Sequence, residues 1–243
     1  MKKIISLLIL ILVISQLTAL KVPSLKGRIN DYAGILNSQE ERNLESYLTQ
    51  FENRSSIQIA VLTIKSLEGE NLESYSIKVA DEWKIGQPGE DNGVILLVAI
   101  QEKKLRIEVG YGLEGYLTDA KSGYIIRNYI TPYFKKGEFY NGVAAGVQAI
   151  TGVLTDELKI TDQQIAQSEK EENGRAQIPF GLLIFLFMIF FGGFGRRRRG
   201  GLFTALFLGS VLGGGRGRSG GGGFGGFSGG GGGFGGGGAS GGW

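Results

Sequence analysis

The chain has 243 residues and contains neither cysteine nor histidine, which excludes Ser-His-Asp triads, cysteine nucleophiles, phosphohistidine chemistry and ordinary zinc sites. Its formal net charge of +3 conceals a segregation, because every acidic residue precedes residue 173 while the chain after residue 192 carries six arginines and no acid. Residues 21–172 are therefore net acidic, and the basic total does not indicate a nucleic-acid partner.

MKKIISLLILILVISQLTAL, residues 1–20, reads as a signal peptide: two lysines, an apolar core, then polar residues. The spacing of small residues before Ala19 is poor for cleavage, so an uncleaved anchor is the alternative. Either one exports the chain beyond residue 20. GRINDYAGIL, an extended segment carrying Asp31, leads to a helix opened by the capping box Ser38-Gln39-Glu40-Glu41, with Leu44, Leu48 and Phe51 at helical spacing. IQIAVLTI, residues 57–64, is a strand rich in β-branched side chains. Leu72, Tyr75, Val79 and Trp83 form the apolar stripe of a second helix. GEDNGVILLVAI then sets Glu90, Asp91 and Asn92 directly before a wholly apolar strand over 94–100, and residues 104–109 alternate as its hairpin partner. Thr118 caps a third helix that ends near Pro132, and residues 140–158 give a fourth. Helices flanking a small sheet predict an α/β fold, a three-layer α/β/α sandwich, over residues 21–160. An acidic, polar linker occupies 161–177.

Residues 178–195 hold no charge, and at ~1.5 Å per residue they just reach across a hydrocarbon core of ~30 Å. Arg196, Arg197, Arg198 and Arg199 come immediately after. By the positive-inside rule they stay cytoplasmic and leave residues 21–172 outside. Within the basic and apolar segment 196–212, residues 202–212 are a marginal second span or an interfacial segment. Four consecutive arginines argue against re-entry, so the tail is expected in the cytoplasm. Residues 213–243, of which 21 of 31 are glycine, lack the apolar area to offset their ordering entropy and are expected to be disordered. The spaced Phe224, Phe227, Phe234 and Trp243 are the points at which a partner could touch them.

Chemistry has to come from oxygen groups. VGYGLEGYLTDA contains a formal G-x-G-x-x-G at Gly110, Gly112 and Gly115, but no strand with its acid succeeds it, so a dinucleotide site is rejected. The glycines are expected to supply positive φ. Around this loop stand Glu114 and, at a helix start, Asp119; Glu90 and Asp91 enter the neighbouring strand. No EF-hand spacing exists.

GRINDYAGIL, EWKIGQPGEDNGVILLVAIQEKKLRIEVGYGLEGYLTDA and the chain from there to about residue 157 resemble the TPM domain family. The layout of signal peptide, domain, membrane segment and glycine-rich end is similar to that of its bacterial members. The DNG element of the family maps onto Asp91, Asn92 and Gly93, and its TDA element onto Thr118, Asp119 and Ala120. Glu90 stands where members often carry a second Asp. The resemblance implies an α/β/α sandwich, and it brings in plant lumenal relatives that act as acid phosphatases and bacterial ones that look like calcium-binding phosphatases. On that basis Asp91 and Asp119 are candidate catalytic residues. Asp31, Glu90, Asp91, Glu114 and Asp119 are candidate ligands of a divalent cation, calcium or magnesium, with Asp91 and Asp119 sharing it at one edge of the sheet. Lys121 and Arg127 would add positive charge for a phosphate. Two functions stay open: a membrane-anchored phosphatase acting on phosphomonoesters, and a non-catalytic module binding calcium or a membrane-protein partner.

Overall fold

The structure is a computed structural model that describes residues 20–176 and 233–243. Helix α1 (Ser38–Ser55) starts where expected, but its cap is one residue earlier. The side chain of Asn37, in extended backbone, accepts the amides of Gln39 and Glu40, while Glu40 returns to the Asn37 amide. An amide outside the helix can fold over the first turn, which Ser38, already helical, cannot.

Five strands lie side by side in sequence order: β1 (Ile29–Asp31), β2 (Gln58–Ile64), β3 (Gly93–Ala99), β4 (Lys104–Gly110) and β5 (Phe234–Gly242). The first three run parallel; β4 is antiparallel to β3, and β5 is antiparallel to β4. Helices cover both faces. On one face Leu44 and Leu48 of α1 meet Val61, Leu96 and Ile107, together with the helices beyond the hairpin. On the other, Tyr75, Val79 and Trp83 of α2 (Leu72–Trp83) meet Leu62, Ile95 and Leu97. This period-2 partition of β2 and β3 between two cores is why neither strand shows a polar face.

After the hairpin come α3 (Asp119–Ile125), a π turn (Ile126–Ile130), α4 (Thr131–Phe134) and α5 (Phe139–Leu154). Pro132 does not end the run. The π turn re-registers the backbone and leaves Pro132 in the first turn of α4, where its missing amide costs little. The polar linker expected at 161–177 is instead helical: α6 spans Asp162–Ala176. Thr161 and Gln164 cap its start reciprocally, and Ile165 is buried against the core.

The largest departure is at the end of the chain. Residues 233–243, expected to be disordered, form β5 along the whole of β4. The disorder argument weighs apolar burial; here a backbone ladder supplies the contact, and Trp243 supplies an anchor. Its ring lies 4.8 Å from Phe134 and 6.3 Å from Phe139, both edge-on. Among the described residues no helix is long and apolar enough to cross a membrane. The expected signal peptide, the spans at 178–195 and 202–212 and the arginine cluster fall outside the described residues.

Candidate functional site

The helix-to-strand turn between α2 and β3 sets Asp91. Its backbone is left-handed, φ 49°, a conformation that Asp tolerates better than most residues. Its carbonyl accepts the amide of Gly112 at 3.1 Å. This is what the glycine loop is for. Gly110 and Gly112 do not have the positive φ expected of them; rather, a Cβ on Gly112 would lie 2.0 Å from the Glu90 carbonyl oxygen. The two loops are pressed together backbone to backbone, and the DNG turn is thereby fixed beside the start of α3.

The candidate acids then divide. Asp91, Glu114 and Asp119 gather along one stretch of β5. A carboxylate oxygen of Asp91 accepts the amide of Gly233 at 2.6 Å, and Asp119 accepts that of Gly238 at 2.7 Å. The Glu114 carboxylate lies against Gly237, where a Cβ would be 2.4 Å from it. Glu90 is exposed and accepts the side-chain amide of Asn92 at 2.7 Å. Asp31 is elsewhere. It pairs with Thr63, near the carboxyl end of the parallel strands, whereas Asp91 precedes the amino end of β3. Its carboxylate accepts the amides of Gly34 (3.0 Å) and Leu36 (2.8 Å) and the hydroxyl of Thr63, a local turn that leaves little for a ligand.

The two cations expected to face a phosphate point to other partners. Lys121 donates to the Tyr116 carbonyl at 2.8 Å, and Arg127 to the Ser168 hydroxyl at 3.1 Å. Among the described residues no three acidic side chains converge on a point where a metal ion could sit. With β5 seated, Asp31 lies on the far edge strand, apart from the other four proposed ligands, and one carboxylate oxygen each of Asp91 and Asp119 accepts a backbone amide.

Sequence reasoning passed over a second set of polar groups on the α2 side of β4. Arg106 is 6% exposed and Glu108 fully buried. The Arg106 Nε donates to Glu108 at 2.5 Å and to Ser76 at 2.9 Å, and the Ser76 hydroxyl donates to Glu108 at 2.6 Å. Burial pushes the Glu108 carboxyl above its ordinary value, against the opposing pull of Arg106 and Ser76. The guanidinium continues outward, with one nitrogen 2.9 Å from the Gly236 carbonyl and another 3.2 Å from the Ser240 hydroxyl. Ser240 donates in turn to Glu73 at 2.7 Å, which is the main reason that the Glu73 carboxyl lies below its ordinary range. The available signal was the KLRIEVG alternation, which puts Arg106 and Glu108 on one face beside an all-apolar strand. Ser76 on the apolar stripe of α2 is its complement.

Comparison with known proteins agrees with this architecture. A family model described as the TPM domain matches residues 29–153. The chain belongs to the TPM domain family. The solution structure of the N-terminal domain of a protein from P. gingivalis is similar at 32% identity and a TM-score of 0.50. That match covers 54% of this chain and 83% of the other. The BA42 protein from Bizionia argentinensis aligns at 22% identity and a TM-score of 0.45, over 53% of this chain and 88% of its own. No curated protein is similar enough to count as a match. The matched family region includes the acidic rim of Asp91, Glu114 and Asp119 and ends before β5.

Proposed function

We propose that this TPM-domain protein is a binding module of a membrane-associated, extracytoplasmic assembly, engaging a partner chain rather than turning over a small substrate. One observation carries the reading: Asp91 and Asp119 use their carboxylates on backbone amides of an extended chain, a contact suited to holding polypeptide. Residues 1–20 would export the module. Since residues 233–243 pair with β4, they share its side of any membrane. A crossing by residues 178–195 therefore calls for a return, for which residues 202–212 are the segment on offer. The tail is then extracytoplasmic, in place of the cytoplasmic one that the arginines suggest.

Hydrolysis of phosphomonoesters with calcium or magnesium, the other function that the resemblance implies, needs the rim uncovered and its acids regrouped. The test is turnover by the full chain on a phosphomonoester, with calcium, with magnesium and with chelator. Rates should equal those of the Asp91→Asn protein in every condition. Chelator-sensitive turnover that Asp91→Asn abolishes would replace the binding reading with the enzymatic one.

A further inference from the structure

Resting on the binding-module reading, we infer that the edge of β4 is a sequence-reading receptor for an extended small-residue peptide, and that residues 233–243 are its tethered ligand rather than a strand of the domain's own core. The first ground is separability. The family region closes at residue 153, and the relative from P. gingivalis was solved as an N-terminal domain, whereas β5 joins the sheet from the far end of the chain. The second is that the contacts are of the type by which sheets recognise peptides: a main-chain ladder for attachment, with side-chain pockets for identity.

Three features of the peptide are read. Its backbone must come closer than side chains allow. At Gly238, φ is 121°, and a Cβ would lie 1.9 Å from the Ile107 carbonyl oxygen, so any other residue is excluded both sterically and conformationally. A hydroxyl is read at Ser240, which bridges Arg106 and Glu73. The buried Glu108–Ser76 pair holds the Arg106 guanidinium in place for this. An aromatic residue is read three positions later, where Trp243 meets Phe134 and Phe139. The glycine-rich sequence is thus a ligand whose emptiness is its specificity, and Ser240 and Trp243 set its register. A ligand from another chain would need the same chemistry: consecutive glycines, a hydroxyl, then an indole or phenyl ring.

Hydrogen exchange on the full chain in detergent tests this. In the wild type, residues 233–243 and β4 should exchange slowly. In Ser240→Ala/Trp243→Ala, exchange over residues 233–243 and β4 should accelerate at least tenfold, with β2 and β3 unchanged. Added free peptide FGGGGASGGW should then restore slow exchange in β4, and the same peptide with both alanines should not. Loss of protection across β2 and β3 together with the tail would make β5 a structural strand and overturn the inference. Failure of the free peptide to restore β4 would overturn it as well. Neither result bears on turnover, so the binding-module reading stands or falls separately in the phosphomonoester assay.

Discussion

Replacing Arg106 by methionine separates what the buried ion pair does for the domain from what it does for the tail. At 2.5 Å the Coulomb attraction between Arg106 and Glu108 is about 7 kcal/mol for an effective dielectric of ~20. Taking both charges out of water costs several kcal/mol per ion, so the pair contributes little net. Removing one partner is different. Glu108 would be left with Ser76 alone, one carboxylate oxygen already having no hydrogen-bond partner, and the expected loss is about 3–5 kcal/mol at neutral pH. The raised Glu108 carboxyl sets the sign with pH. A raised folded value favours the protonated fold, so the penalty is small below the ordinary value of 4.5 and grows as pH rises through the folded value. Arg106→Met/Glu108→Leu removes both charges and should return domain stability to within about 1 kcal/mol of wild type or better. It also deletes the contacts to Gly236 and Ser240, so the tail should stay released. Urea unfolding at pH 4.5 and 7.5, monitored through Trp83, reads the domain; exchange over residues 233–243 reads the tail. A single variant costing under 1 kcal/mol, or a double variant as unstable as the single, would refute the argument.

The same contacts give two further outcomes. Glu73 is held below its ordinary 4.5 chiefly by the Ser240 hydroxyl, with burial opposing. The stabilisation it lends the tail is therefore complete above that value and lost as pH falls through the lowered one; Ser240→Ala should move the Glu73 titration upward in side-chain carboxyl NMR, and an unmoved titration would break the link. Cysteines placed at Lys136 in the domain and Ser228 before β5 should both react with an impermeant maleimide in intact cells; labelling of only one would separate the tail from the domain's side of the membrane.

The sheet and its helices were legible because they rest on periodicity. Residues 57–64 and 94–100 are apolar beyond what one buried face needs, and Leu72, Tyr75, Val79 and Trp83 keep one face through three turns. That Asp91, Glu114 and Asp119 come from neighbouring loops was legible too, since a hairpin returns the glycine loop to the mouth of β3; that they would meet β5 at Gly233, Gly237 and Gly238 was not. Asp31 was misplaced because an acid before a helix gives no sign of which end of its strand it occupies; the parallel pairing with β2 decides that. The helix over the expected linker was not read, for want of weight on Thr161 and Gln164, whose cap opens it. The tail was misread more deeply. Composition measures what a segment can bury by itself, and β5 buries little; its partner is a strand edge more than a hundred residues away, with which no local pattern connects it.

That edge also bears on which function the rim can have. β1 is only three residues long, so it leaves little unpaired backbone at its side of the sheet. β4 has seven, mostly buried, and without β5 it would present the open ladder that invites pairing with other chains. Uncovering Asp91 and Asp119 for a small phosphate ester thus exposes far more than two carboxylates. It strips a strand-length row of amides and carbonyls, bares the face of Phe134 and frees the Arg106 guanidinium from its outer contacts; a phosphate pairs with a guanidinium but satisfies neither the ladder nor the aromatic face. Another extended chain satisfies all of them at once. On the binding reading proposed above, the ligand that displaces the tail most cheaply is one that resembles it.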